Sequence, residues 1–231
     1  ESSTLGFGLK AYDQMDDTPN WNGIYSLSLY QDDSLLYRFT AERFSYEESL
    51  YLNAHVDYRE QRSNRAYFNR TFRLPGNQLS MYDRLQNEGV VQLLKDEPSE
   101  ITVVAEDLNG NASRLRFWVR RTAAVAEKPP QKYNYLLPYE EESIIDNGSL
   151  FLHFPQGSFY ENVYLDYQFT IDRSDHVYSA VHHIHEPLTP IHHRFELGLR
   201  PTMLPKELWD KAFIAYCTSG GRIINMGGAW K

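Results

Sequence analysis

Residues 101–120 read ITVVAEDLNGNASRLRFWVR, and their alternation is the clearest structural signal in the chain. Apolar side chains occupy every second position on both sides of the run 107–111 (DLNGN): Ile101, Val103 and Ala105, then Leu115, Phe117 and Val119. Such alternation is typical of a half-buried strand, and Asp, Asn and Gly tolerate the backbone angles of a tight turn. The stretch therefore predicts a β-hairpin, with Arg114, Arg116 and Arg120 on its outer side.

A second hairpin is predicted by residues 24–39, where the alternation is interrupted by the turn-forming run 31–34 (QDDS). We interpret that run as a four-residue connection. Similar turn signals recur every ~8–12 residues without a long helical period, which favours a β-sandwich or a barrel. The predicted fold class is all-β, with two immunoglobulin-like β-sandwich domains in tandem at 1–122 and 133–231. The linker between them, 123–132, contains Pro129 and Pro130.

Weaker patterns give further predictions. We expect a strand at 51–58, a single helical turn within 81–87, and a short helical segment at 204–211. Candidate strands in the second half are 150–154, 163–169, 177–182, 194–200 and 212–217.

Composition excludes several classes of protein. The 231 residues include 23 basic and 31 acidic side chains, a formal net charge of −8, which argues against nucleic acid as the main partner. Cys217 is the only cysteine, so an intrachain disulfide and a cysteine-rich zinc module are excluded. No apolar run reaches the ~18 residues of a membrane span. Aromatic residues make up 14% of the chain, which is typical of sheet surfaces and predicts a soluble all-β protein.

Histidines are concentrated in one region of the second half: His182, His183, His185, His192 and His193. His183 and His185 would face the same side of a single strand, so both imidazoles could reach one zinc ion. A catalytic site needs a third ligand, and the spacing selects neither Asp175 nor Glu186. Prolines at 187 and 190 indicate a loop within the cluster. We expect these histidines to pack against aromatic rings, and we assign no metal, cofactor-binding or catalytic residue.

Other catalytic patterns are weak. The chain has no G-x-S-x-G nucleophile elbow, and the acidic runs 47–48 and 140–142 are typical of solvated surfaces. A pair of glycosidase carboxylates leaves no fixed spacing in a sequence, so that alternative stays open.

Two kinds of motif carry a resemblance to known families. Residues 105–113 (AEDLNGNAS) resemble a hairpin of bacterial immunoglobulin-like domains. Six further motifs occur in this order: 8–14 (GLKAYDQ), 23–25 (GIY), 53–58 (NAHVDY), 74–77 (LPGN), 155–160 (PQGSFY) and 227–230 (GGAW). Together they resemble the non-catalytic β-sandwich region downstream of the peptidase domain in large lysostaphin-type (LytM-like) zinc metallopeptidases of Gram-negative envelopes.

That resemblance implies a chain without the reacting groups. The family's peptidase module carries H-x-x-x-D and H-x-H zinc motifs upstream of this region, and none of the eight histidines here begins an H-x-x-x-D motif. The resemblance therefore implies no cofactor in this chain and a zinc ion in the peptidase domain of its parent. It also implies export to the periplasm or cell surface, and a structural or docking role.

The resemblance further implies that the second sandwich lacks its closing strand, which the family supplies beyond Lys231. An unpaired sheet edge is a template for strand addition. The expected partner is the remainder of the parent polypeptide, meaning the peptidase domain and a C-terminal strand, or another envelope protein. Two alternatives stay open: a free-standing cell-surface adhesion or glycan-binding protein, and a metalloenzyme that uses the histidine cluster.

Overall fold

A computed structural model describes residues 3–14, 19–43, 45–94, 97–121 and 132–230 of the chain. These residues form two compact units. The first unit contains residues 1–131, 159–163 and 186–192, and the second contains 132–158, 164–185 and 193–231. Both units are rich in β-strands, which confirms the predicted all-β fold class. The predicted linker lies outside the described residues except for Lys132, so the domain boundaries stay a prediction.

The described strands of the first unit are Thr4–Leu5 (β1), Gly8–Lys10 (β2), Asp13–Gln14 (β3), Trp21–Asn22 (β4), Ser26–Gln31 (β5), Ser34–Thr40 (β6), Phe68–Arg70 (β7), Tyr82–Leu85 (β8), Val91–Gln92 (β9), Pro98–Glu106 (β10) and Ala112–Arg120 (β11). Five of these strands form an antiparallel sheet with the order β11-β10-β5-β6-β8. The remaining described strands form two-stranded pairs, β1 with β9, β2 with β7 and β3 with β4.

The hairpin predicted within 101–120 is confirmed. β10 and β11 pair in antiparallel register from Pro98 opposite Arg120 to Glu106 opposite Ala112. In the intervening turn, the Asp107 side chain accepts hydrogen bonds from the backbone N–H groups of Asn109 (2.9 Å) and Asn111 (2.8 Å). The Asn111 side-chain amide also donates to the Asp107 carboxylate, at 2.6 Å. This side-chain bond is the largest cause of the lowered pKa of Asp107, and the backbone bonds lower it further.

The first hairpin exists, but its connection is shorter than predicted. β5 and β6 are joined by Asp32 and Asp33 alone, with φ angles of 47° and 64°. Two successive residues with positive φ form the tight turn that matches the twist of the flanking strands. Gln31 and Ser34, which we expected in the connection, are instead the last cross-strand pair of the ladder.

The alternating apolar residues of both hairpins form one core. Leu27, Leu29, Ile101 and Tyr37 are fully buried and pack with Val91 in the same cluster. Half-buried residues from β11, including Phe117 and Val119, pack against this cluster from the edge of the sheet. The period-two pattern of the sequence therefore identifies most of this core, but Ser28 and Val104 on the opposite face are also buried, and Leu115 is 52% exposed.

The strand predicted at 51–58 is wrong. Residues 46–64 form a 3-10 helix at Tyr46–Tyr51, followed by short α-helices at Leu52–His55 (α1) and Tyr58–Asn64 (α2). Ser45 caps the first helix reciprocally with Glu48, and the Asp57 side chain accepts a hydrogen bond from the Glu60 N–H. Side-chain caps of this kind satisfy the free N–H groups at a helix start, so they favour helix over strand here.

The helical turn predicted within 81–87 is also wrong in its position. Residues Tyr82–Leu85 form β8, which pairs with β6, and the 3-10 turn follows at Asn87–Gly89. Asn87 and Glu88 both have positive φ, and Gly89 has a φ of 79°. Residues 82–85 are therefore a strand, and the turn that we expected over 81–87 begins only after this strand has ended.

The first unit includes a tyrosine that comes from late in the chain. Tyr160 is 2% exposed and packs against Ala54 and Leu74. Its hydroxyl donates a hydrogen bond of 2.6 Å to the Leu50 carbonyl, and its own carbonyl accepts one of 2.8 Å from the Gly76 N–H. The core of the first unit is therefore completed by residues far away in sequence.

The strands that lie wholly or mostly in the second unit are Tyr135–Leu137 (β12), Ser143–Asp146 (β13), Leu150–Phe154 (β14), Val163–Leu165 (β15), Tyr167–Thr170 (β16), Val181–Ile184 (β17), Glu196–Leu199 (β18), Ala215–Cys217 (β19) and Ile223–Asn225 (β20). They form a three-stranded sheet, β13-β14-β18, and the pairs β12 with β15, β16 with β17 and β19 with β20. A 3-10 helix at Lys206–Lys211 confirms the helical segment expected at 204–211. Each candidate strand predicted in the second half thus contains or overlaps an observed strand.

Candidate interaction surfaces

The predicted H-x-H pair does not lie on one strand. His183 is on β17, which ends at Ile184, and His185 follows with a φ of 52°. The His185 N–H donates a hydrogen bond of 2.7 Å to the Asp166 carbonyl. Because the chain turns at His185, the two imidazoles lose the shared strand face that a zinc pair would need.

The neighbouring His182 is part of an aromatic stack. Its ring lies 6.0 Å from that of Tyr167 at an interplanar angle of 19°, and its Nδ1 is 2.9 Å from the Tyr167 hydroxyl. Partial burial lowers the pKa of His182, and the nearby His183 lowers it further. This packing against an aromatic ring is the role that the sequence predicted for the histidines.

His192 lies in the first unit, whereas His182, His183, His185 and His193 lie in the second. The His192 ring stacks on Tyr51 with 4.1 Å between centroids. Among the described residues, no group of three His, Cys, Asp or Glu side chains is arranged to hold a metal ion. The histidine cluster of the sequence is thus divided between two units.

One histidine outside the predicted cluster has a strongly shifted pKa. His55 is 2% exposed, its ring stacks on Phe39 at 4.2 Å, and its Nδ1 lies 3.3 Å from the Tyr82 hydroxyl. Burial lowers the pKa of His55 to about 4, with Arg70 as the second cause. Asn77 donates a hydrogen bond of 2.9 Å to the same Tyr82 oxygen. A ring this deeply buried stays neutral and serves packing.

The most exposed apolar strands of the second unit are β19 and β20. They pair only with each other among the described residues, with Tyr216 opposite Ile224 and Cys217 opposite Ile223. Tyr216 is 52% exposed and Ile224 36%, while Ile223, on the other face, is 63% exposed. We call Ala215–Asn225 the C-terminal hairpin. Apolar side chains are accessible on both of its faces.

The backbone ladder of this hairpin extends by one more pair. The Ile214 N–H donates to the Gly227 carbonyl at 2.7 Å, and the Met226 N–H donates to the Ile214 carbonyl at 2.9 Å. Met226, which is 64% exposed, therefore continues the Tyr216 face. Beyond it, the indole of Trp230 stacks on Trp209 at 5.1 Å and donates a hydrogen bond to the Trp209 carbonyl.

An isolated two-stranded hairpin is at best marginally stable in water. Exposed apolar residues in contiguous groups mark interaction surfaces in soluble proteins. The C-terminal hairpin combines both properties, so it is the candidate interaction surface of the second unit. The sequence indicated this region through its alternation at 212–217, but it did not show that both faces are uncovered.

Comparison with known proteins agrees with an interaction role. Residues 134–231 match the family model of the Zu5-like domain. This domain is a non-catalytic β-structured module that mediates protein interactions. The match covers the second β-rich half of the chain, including the C-terminal hairpin, and it carries no link to metallopeptidases. No curated protein and no solved structure matches the chain. In the described part of the chain, each helix is too short or too polar to cross a lipid bilayer.

Proposed function

We propose that this chain is a non-catalytic docking module of a cell-envelope zinc metallopeptidase of the peptidoglycan endopeptidase type. In this proposal the module positions or shields the peptidase domain, which holds the zinc and lies outside these residues. The ordered series of motifs between residues 8 and 230 supports the assignment to such a protein. Export to the periplasm or cell surface of a Gram-negative bacterium belongs to the same proposal.

The observation that carries the docking role is the C-terminal hairpin. Its two strands expose Tyr216, Ile223 and Met226, and each side chain that a partner covers fully would contribute about 1.5–3 kcal/mol. A sheet edge also offers free N–H and C=O groups for another strand. The proposed occupant is a strand from the remainder of the parent polypeptide, which would turn the pair β19-β20 into a larger sheet.

The test is binding of this chain, measured by calorimetry, to two parts of the same gene product: the peptidase domain and the segment that follows residue 231. Replacing Tyr216 and Met226 together with threonine removes apolar surface from one face and retains β-propensity. We expect the double variant to bind at least about tenfold more weakly, given the burial energy of two apolar side chains. Leu108→Thr is the control, because Leu108 is equally apolar and 76% exposed but lies in the β10–β11 turn.

Two outcomes would contradict the proposal. One is a gene that encodes no zinc-peptidase domain beside these residues, which would favour the adhesion or glycan-binding alternative. The other is a complex whose affinity is the same for the wild type and the double variant. Hydrogen exchange provides the structural readout, because an added strand should slow exchange of amides in β19 or β20.

A further inference from the structure

A second exposed strand edge lies in the first unit and has a different chemistry. β11 is the terminal strand of the five-stranded sheet, and among the described residues it pairs on one side only, with β10. It extends over nine residues from Ala112 to Arg120, most of them exposed. This length is greater than that of an average strand, so the open edge could pair with a complete strand of a partner.

Three arginines and a tryptophan alternate along the outer face of this edge. Arg114, Arg116, Trp118 and Arg120 occupy every second position, opposite Val104, Thr102, Glu100 and Pro98 of β10. The other face of β11 carries Leu115, Phe117 and Val119, the last two of which pack on the core. Side chains two residues apart on a strand are separated by about 6.7 Å. The outer face therefore presents a regular row of cationic and aromatic groups, in a chain whose net charge is −8.

Most of this charge is not neutralised within the structure. Arg116 pairs with Glu100 at 3.2 Å, and about half of the Arg116 side chain stays exposed. Arg114 and Arg120 form no ion pair with any described residue. Trp118 is 64% exposed. Within the described part of the chain, the edge thus presents two guanidinium groups without an ion-pair partner beside a large apolar ring.

We propose that β11 binds an extended acidic polypeptide segment by strand addition. In this arrangement, backbone hydrogen bonds form along the open edge, and acidic side chains at alternate positions of the segment face Arg114, Arg116 and Arg120. Opposite charges directly across two strands are stabilising, by about 0.2–1 kcal/mol for each pair. The indole of Trp118 would cover one neighbouring side chain of the segment.

The charge pattern distinguishes this partner from a second copy of the chain. Two β11 edges paired with each other would bring arginine rows together, and like charges across strands are destabilising. Charged edges protect proteins from such self-association. The same arginines that exclude β11 of another molecule favour a strand of opposite charge, so attraction and exclusion act together.

The open backbone favours a polypeptide over other polyanions. A nucleic acid or a sulfated polysaccharide could pair with the guanidinium groups, but neither could continue the ladder of the sheet. The period of two along β11 equals the side-chain period of an added strand. A polypeptide therefore uses both the charges and the free backbone groups of this edge.

The probe is an acetylated and amidated synthetic peptide as long as β11, with glutamate at alternate positions and threonine or valine between them. Its binding to the full chain is measured at low salt and at physiological salt. Three control peptides have the same length: one carries lysine in place of glutamate, and the other two are methylated on alternate backbone nitrogens, one in each of the two possible phases. We expect the glutamate peptide to bind and the lysine peptide not to bind. Only alternate amides of an added strand face β11. Methylation of that set should abolish binding, and methylation of the other set should not.

The matched variants are two double charge reversals. Arg114→Glu with Arg120→Glu alters the unpaired arginines of β11 and preserves the pair between Arg116 and Glu100. Arg62→Glu with Arg173→Glu makes the same change in net charge at exposed sites outside both the five-stranded sheet and the C-terminal hairpin. We expect the β11 reversal to weaken binding of the glutamate peptide by about tenfold or more, since each attraction becomes a repulsion. The other reversal should change it much less.

Hydrogen exchange identifies the mode of binding, because the peptide should slow exchange at alternate amides of β11. Equal binding of peptides methylated in either phase, or equal binding of an unrelated polyanion such as heparin, would overturn strand addition. Failure of the glutamate peptide to bind would show that the arginines only protect the edge. Each of these results is independent of the proposed docking at β19 and β20, which lie in the other unit.

Discussion

Replacement of Gly89 by alanine should destabilise the first unit by about 3 kcal/mol. Gly89 has a φ of 79°, where a side chain costs roughly 1–2 kcal/mol. A Cβ atom at this position would also lie 2.3 Å from the Thr71 carbonyl oxygen, 2.9 Å from the Phe72 Cα and 3.0 Å from a ring carbon of Tyr37. Two of these atoms belong to the backbone, so the clash cannot be relieved by rotating a side chain. Overpacking of this kind costs about 1–3 kcal/mol more.

The control for this prediction is Gly110→Ala. Gly110 has a similar φ of 86°, but nothing lies within 4 Å of its Cβ position. The control therefore measures the backbone cost alone, about 1–2 kcal/mol. Hydrogen exchange of the core strands β5 and β10 reports the stability of the first unit separately from the second. If both alanine variants lost the same free energy of unfolding, the prediction that a Cβ atom at Gly89 clashes with Thr71 would be wrong.

Acid should destabilise the first unit through His55 by up to about 3 kcal/mol. The pKa of His55 is lowered in the folded state to about 4, from an ordinary value of 6.5. The unfolded chain therefore binds a proton at a higher pH than the folded chain does. The neutral form of His55 therefore contributes to the free energy of unfolding. This contribution is fully present above pH 6.5, decreases as the pH falls from 6.5 to about 4, and is lost below that. Each unit of pH in that window corresponds to at most about 1.4 kcal/mol.

The measurement is the pH dependence of unfolding for the wild type and for His55→Phe, whose ring can still stack on Phe39. Carboxylates contribute to acid unfolding in both proteins, so the difference between the two curves isolates His55. We expect the free energy of unfolding of the wild type to fall more steeply with decreasing pH than that of the variant, so that the difference between them shrinks or reverses. His183→Gln removes an exposed imidazole and serves as the control. If the His55 variant does not fold, NMR titration of His55 in the wild type replaces it. Protonation of His55 near pH 6.5 would refute the prediction.

The sequence predicts the two hairpins well because their signals are local. Leu27, Leu29, Ile101 and Val103 alternate with residues of the opposite face, and all four are buried in the structure. Turn chemistry between the strands defines each hairpin, although the positive φ of Asp32 and Asp33 gives a tighter turn than the composition indicates. Period-two patterning and turn residues together specify such elements without information from the rest of the chain.

The errors occur where capping or tertiary contacts determine the structure. The helices at 46–64 depend on the caps at Ser45 and Asp57, which outweigh the β-propensity of the tyrosines. The histidines look adjacent in sequence, but the positive φ at His185 breaks the shared strand face. The exposure of both faces of the C-terminal hairpin is a property of three-dimensional packing. No local pattern in the sequence encodes it.

Tyr160 limits how this chain can be divided or recombined. It fills a site among Ala54, Leu74 and the Leu50 carbonyl, although it follows them by more than eighty positions. A gene fragment that stops near residue 131 would encode the first unit without this tyrosine, and a recombination event at the linker would replace it with a foreign residue. The two halves of the sequence should therefore be inherited together, as one block rather than as exchangeable cassettes.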